Sequence, residues 1–168
     1  MATSRIFIGL GANLTPVGYG NPREGCVAAL SALAQEGVYV EKISNWYESA
    51  PVPVSDQPWY LNAVAIAKTK LDASQTLAAM HQTEVLFGRV RGLRNEARVL
   101  DMDLIDFDGL VISRADLTLP HPRLHDRAFV LLPLRELSPN WKHPVTCKEI
   151  GELISALPAE QKIRLAIN

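Results

Sequence analysis

Val99-Leu100-Asp101-Met102-Asp103-Leu104-Ile105-Asp106-Phe107-Asp108-Gly109 is the stretch that decides the reading of this chain. Residues 99–107 predict a strand, and Asp108-Gly109 predicts a hairpin turn leading into Leu110-Val111-Ile112. On a strand, residues two apart share a face, with backbones about 6–7 Å apart. Asp101 and Asp103 then present two carboxylates side by side. Mg²⁺ favours one or two carboxylates combined with phosphate oxygens and water. A strand face that merely points to solvent is the plainer alternative. The apolar neighbours on both sides oppose it, because isolated charges resist burial.

Working outward, residues 89–97 hold Arg89, Arg91 and Arg94 among polar residues and Gly92, with Arg98 next, and predict a mobile loop. Guanidinium groups fork onto phosphate oxygens in pairs. Metal-holding carboxylates beside several arginines suit triphosphate chemistry. A solvated basic loop, paired with Glu84 and Glu96, is the alternative. Residues 73–88 predict a helix with apolar positions at Leu77, Met80 and Phe87. Downstream, His121 stands between Pro120 and Pro122, which fix its backbone so that it can donate to a phosphate or a leaving group. His121 and His125 would suit zinc only on a helix, and Pro122 argues against one.

The rest of the chain completes a pattern. Ile6-Phe7-Ile8 predicts a strand that ends in a turn at Gly9-Leu10-Gly11-Ala12-Asn13. Residues 14–21 read as loop. Pro22 suits a first helical turn, Cys26, Ala29, Leu30 and Leu33 recur at helical spacing, and Gly37 is a stop. Residues 38–46 and 60–67 predict strands around a proline-rich loop at 50–58, residues 127–137 read as a helix or a buried apolar run, and residues 149–157 predict a short amphipathic helix. The order is β-α-β-β-α-β with C-terminal additions, an α+β ferredoxin-like sandwich. Residues 1–168 are read as one domain, a length that buries one sizeable core.

Composition excludes several classes. With 48% hydrophobic and 21% charged residues the chain is an ordinary globular protein. Its net charge of −1 lacks the basic excess of a nucleic-acid coat. No stretch approaches the roughly 20 apolar residues of a membrane helix, and residues 1–5 lack signal-peptide features. Cys26 and Cys147 form no CxxC pair, so two free thiols in a reducing compartment are expected. A cytoplasmic location without membrane or nucleic-acid partners is therefore expected. Gly9-Leu10-Gly11-Ala12-Asn13 lacks the lysine of a Walker loop, and no Rossmann fingerprint is present.

Several separated motifs together resemble the 6-hydroxymethyl-7,8-dihydropterin pyrophosphokinases of folate synthesis. They are Gly9-Leu10-Gly11-Ala12-Asn13-Leu14, Trp46-Tyr47-Glu48-Ser49-Ala50-Pro51, Asp56-Gln57-Pro58-Trp59-Tyr60-Leu61-Asn62, Glu84 through Gly88-Arg89-Val90-Arg91, Arg98 through Asp103, and Leu119-Pro120-His121-Pro122-Arg123 with Arg127-Ala128-Phe129. The resemblance spans most of residues 5–140 and implies the same ferredoxin-like fold. It implies a transferase that passes the β,γ-pyrophosphoryl group of ATP to the hydroxymethyl oxygen of 6-hydroxymethyl-7,8-dihydropterin, leaving AMP. Two Mg²⁺ ions would sit on Asp101 and Asp103. His81, Glu84, Arg89, Arg98, Leu104, His121 and Arg127 would contact ATP, and Arg91 would belong to a mobile catalytic loop with Arg89 and Arg98. The pterin would lie between Tyr60 and Phe129, read by Asn62, Asp101 and the segment Ser49, Ala50 and Val52. A flat heterocycle favours aromatic faces, and an Asn amide offers its edge both a donor and an acceptor. A monomer is expected.

The chain departs from the family in four places: Asn95 stands where a tryptophan is frequent, Gly92 where a lysine is frequent, the loop is one residue shorter, and Pro122 replaces a tyrosine. Two other classes use similar features. A nucleotidyl- or glycosyl-transferase also carries a DxD, and a ferredoxin-like RNA-binding module carries exposed strand aromatics with basic charge.

Overall fold

The computed structural model describes residues 2–90, 92 and 97–167. Arg91, Arg94, Asn95 and Glu96 lie outside them. Five long segments form the frame: β1 (Ser4–Ala12), α1 (Pro22–Ala32), β2 (Val38–Ile43), β3 (Tyr47–Ser49) and β4 (Tyr60–Thr69). They are followed by α2 (Ala73–Leu86), β5 (Asp101–Phe107), the short β6 (Ile112–Ser113) and β7 (Thr118–Leu119), α3 (Ala128–Leu137), α4 (Ile150–Ser155) and β8 (Ile163–Leu165). The main sheet runs β5-β1-β4-β3-β8, with β2 also on β4, and every pairing is antiparallel. This is the ferredoxin-like order expected from the sequence.

Local chemistry sets the helix ends. Asn21 caps α1 by accepting the Glu24 N–H, with Pro22 in the first turn, where its missing donor costs nothing. Gly37 closes the following 3₁₀ turn at φ 88°. Asp72 and Gln75 form a capping box on α2.

One face of the sheet packs on α1 and α2 through Ile6, Ile8, Leu10, Ala63, Ala65, Met102, Leu30 and Met80. The other packs on α3 and α4 through Phe7, Val64, Ile66, Ile105, Leu131 and Ile150. Each fully buried Leu or Ile contributes about 1.5–3 kcal/mol relative to exposure. On that second face the apolar packing residues occupy only one end of the central strands. At the other end the same face carries Gly9 and Gly11 of β1, Asn62 of β4, and Asp101 and Asp103 of β5.

Three sequence expectations need correction. The segment Gly9–Ala12 is strand, not turn: Gly9 pairs with Asp103 and Val64, and Gly11 with Asp101 and Asn62. Residues 38–46 do not form one strand. Ser44 breaks it, its N–H donating to the Val64 carbonyl at 2.9 Å and its Oγ accepting the Val64 N–H at 3.0 Å. Glu136 then takes the Asn45 N–H at 2.9 Å and the Tyr47 hydroxyl. The Asp108-Gly109 turn forms, with φ of 53° and 71°. The outgoing segment nevertheless leaves β5, because Ile105 C=O on that edge is taken by the His121 N–H at 2.9 Å, and Ile112–Ser113 pairs with Thr118–Leu119 instead. The apolar positions read on α2 do face the core, with Met80 buried and Leu77 and Phe87 packed against it, and Thr76, Thr83 and Glu84 are buried beside them.

Candidate active site

The alternation of β5 places Asp101 and Asp103 on the sheet face that α3 and α4 leave open. Opposite them on β1 stand two glycines, so nothing projects from the strand beside the carboxylates. A Cβ at Gly9 would meet Ile105 Cδ1 at 3.1 Å, and one at Gly11 would touch only Asn62 Oδ1 at 3.5 Å. These glycines are site residues that the sequence reading took for a turn.

Three segments bring cations to the two aspartates. Arg89, just past α2, contacts Asp101 Oδ1 at 2.6 Å and also pairs with Glu84. Arg98 reaches Asp101 Oδ2 at 2.5 Å. Arg127 approaches Asp103 Oδ2 at 3.4 Å. Glu84 lies on α2 with its side chain 1% exposed and accepts the Met102 N–H at 2.7 Å, tying the helix to the middle of the site. Burial pushes its carboxyl up to about 7, although the Met102 N–H and Arg89 favour the charged form. Burial, and next the charge of Asp101, likewise push Asp103 up to about 6.

His121 sits with Nε2 3.8 Å from Asp103 Oδ1. Its Nδ1 accepts the Arg123 N–H at 3.2 Å, so a neutral ring carries its proton on Nε2, facing the aspartate. Burial and neighbouring Arg127 lower its pKa from 6.5 to about 4. Between these values the unfolded chain binds a proton that the folded chain refuses, so stability falls as pH drops from about 6.5 to 4. We expect His121→Gln to flatten the acid side of a melting-temperature profile across that window. An unchanged acid slope would remove His121 from the set of buried neutral groups.

His81, Leu104 and His121 join Asp103, Leu117 and Thr118 around a cleft of about 220 Å³. Leu117 and Thr118 carried no signal in the sequence, because only the β6–β7 ribbon brings them here. On the other side of Asp101, Asn62 is buried, and its amide donates to Ser49 Oγ at 2.8 Å and to the Tyr60 carbonyl at 3.2 Å. Tyr60 opens β4, and Phe129 lies in the first turn of α3 with Arg127 5.4 Å from its ring centre. Ala50 donates its N–H to the Lys162 carbonyl at 3.0 Å. Val52 stands 72% exposed on the proline loop. Of the expected site residues, Arg91 alone falls outside the described set.

A family profile described as 7,8-dihydro-6-hydroxymethylpterin-pyrophosphokinase (HPPK) matches residues 7–139. The chain is 36% identical over 162 residues to a 2-amino-4-hydroxy-6-hydroxymethyldihydropteridine pyrophosphokinase of Pseudomonas aeruginosa, covering 96% of both proteins. It is 37% identical to the protein of that name from Synechocystis sp., over 88% of this chain and 73% of that one. Among solved structures, a Plasmodium falciparum HPPK-DHPS superposes with a TM-score of 0.72 over 92% of this chain at 15% identity, a likeness of fold. This chain spans 44% of that longer protein. Paired aspartates set among arginines on an open sheet face, together with these matches, define a pyrophosphoryl-transferring enzyme, a transferase. The chain belongs to the 7,8-dihydro-6-hydroxymethylpterin-pyrophosphokinase family. Membership decides against the RNA-binding and other DxD-transferase readings.

Proposed function

We propose that this protein transfers the β,γ-pyrophosphoryl group of ATP to the hydroxymethyl oxygen of 6-hydroxymethyl-7,8-dihydropterin, giving AMP and the pterin diphosphate in folate biosynthesis. The observation that carries this reading is the convergence of Arg89, Arg98 and Arg127, from separate segments, on two aspartates of one strand face.

The donor set fits Mg²⁺. Asp101 and Asp103 are hard oxygen donors on one face, with side chains 23% and 31% exposed and therefore reachable from solvent. They would hold two ions, which when bound neutralise phosphate charge and polarise the phosphorus under attack. The chain's own groups do the rest. Arg89, Arg98 and Arg127 exchange aspartate for phosphate oxygens, stabilising charge that builds as the bridging bond lengthens. Arg91 would join them from the adjoining loop. The His121 Nε2–H is a neutral donor for a phosphate oxygen. His81 and Leu104 line the cleft for the nucleotide, and Glu84 holds Arg89 and β5 in register. Asn62 orients the pterin edge between Tyr60 and Phe129, beside Ser49, Ala50 and Val52. No side chain stands out as a general base for the hydroxymethyl proton; Asp101 is the candidate.

We read residues 1–168 as one domain acting as a monomer. A cytoplasmic location accords with two unbridged thiols and the need for ATP. Among the described residues no helix is long and apolar enough to cross a membrane.

Chromatography of nucleotide products from ATP, reduced hydroxymethylpterin and Mg²⁺ tests the proposal. AMP formed only when pterin and metal are both present is the expected result. ADP as product would overturn it.

A further inference from the structure

The first turn of α3 presents a conflict. A helix leaves its first N–H groups without intrahelical partners, and the residue before the helix normally caps them with a short polar side chain. Here that residue is Arg127, whose guanidinium has no acceptor and so makes no capping bond, and which instead reaches Asp103. Its backbone is extended at φ −117° and ψ 107°.

The missing acceptor comes from elsewhere in the chain. Gln161, two residues before β8, accepts the Ala128 N–H on its Oε1 at 2.9 Å. Its Nε2 donates to the Asp126 carbonyl at 2.7 Å. One amide thus grips the backbone on both sides of Arg127. Gln161 is itself held in place. The next residue, Lys162, accepts the Ala50 N–H at 3.0 Å, and Ile163 pairs with Ser49 on β3. The C-terminal strand therefore links the Ser49–Ala50 segment to the turn that carries Arg127 and Phe129.

We propose that Gln161 is a positioning residue for the nucleotide site: it caps α3 from another part of the chain and fixes the Arg127 backbone, leaving the Arg127 side chain for phosphate. This inference rests on the reading of Arg127 as a phosphate ligand. Asn, Asp or Ser at position 127 would cap the helix but bring no guanidinium. Separating the two tasks between Arg127 and Gln161 allows both.

The test is calorimetric titration of MgATP into the full chain, as a double-mutant cycle. Gln161→Leu is expected to weaken MgATP binding about ten-fold, the equivalent of about one lost hydrogen bond of positioning. In turnover, kcat/KM for ATP falls by at least a similar factor. In an Arg127→Ala background, Gln161→Leu should change the dissociation constant by less than about twofold, because the residue it positions is gone. Should Gln161→Leu fail to fold, Gln161→Asn, too short to grip both sides, carries the same cycle.

A merely structural role predicts a lowered melting temperature with unchanged MgATP affinity, and that result overturns the inference. Equal weakening with and without Arg127 overturns it as well. A parent chain that binds MgATP with the expected cycle but forms no AMP would sink the proposed reaction and leave this inference standing.

Discussion

Replacing Asp101 with alanine lowers turnover by about a thousand-fold or more, and Asp103→Ala does the same. The reason is local. These two carboxylates are the anions that β5 presents at the open end of the sheet, and the proposed metal ions would have no substitute ligand on that strand. Stability should change little. Arg89 keeps Glu84 when Asp101 is removed, and Glu84 is relieved of a neighbouring negative charge that now raises its pKa. Losses and gains of about 1 kcal/mol each leave the melting temperature within a few degrees. Nucleotide products and thermal unfolding, measured on the same preparations, check both halves. Retained turnover in either variant would remove that aspartate from the metal site.

The second large effect comes from a residue with no side chain. Gly11→Leu is expected to raise KM for the pterin by about a hundred-fold and to leave the fold intact. The first added carbon meets only Asn62 Oδ1 at 3.5 Å, an ordinary contact, so the strand accepts it. The remaining carbons must then rise between Asn62 and Asp101, where the heterocycle is placed. About 2.7 kcal/mol of lost binding corresponds to that factor. Gly9 should behave differently, because its Cβ would press Ile105 at 3.1 Å and disturb the core itself. Steady-state kinetics with pterin varied at saturating ATP, alongside melting curves, separate the two cases. A Gly11→Leu enzyme with unaltered pterin KM would move the pterin away from this floor.

The order of strands and helices was legible because each long element carried its own periodicity, as in Leu77, Met80 and Phe87 of α2 and the alternation across Asp101 and Asp103. The grouping of site residues came from family resemblance rather than spacing, since Asn62 on β4, His121 after β7 and Arg127 before α3 are far apart in sequence and are set around Asp101 and Asp103 only by the fold. What escaped were arrangements set by distant partners. The strand ends at Ser44 because Val64 meets Ser44 and Glu136 takes the next N–H, that of Asn45, and nothing nearby in sequence announces either. Glu84 is buried on α2 for its bond to the Met102 N–H, against its polarity, and nothing near Glu84 announces that partner. Gly9 and Gly11 resemble a turn in any local reading, and only the pairing of β1 with both neighbours shows them as floor.

The half-covered sheet has a consequence for how this protein can change. Along β1, β4 and β5, one end answers to volume and the other to chemistry. Phe7, Val64, Ile66 and Ile105 are interchangeable with apolar residues of similar size at a cost usually under about 1.5 kcal/mol. Gly11, Asn62 and Asp101 bear little of that packing. New substrate preferences can therefore be written at one end of these strands without eroding the melting temperature set at the other. Laboratory selection for altered heterocycles has room here that an enclosed site in the middle of a core would deny.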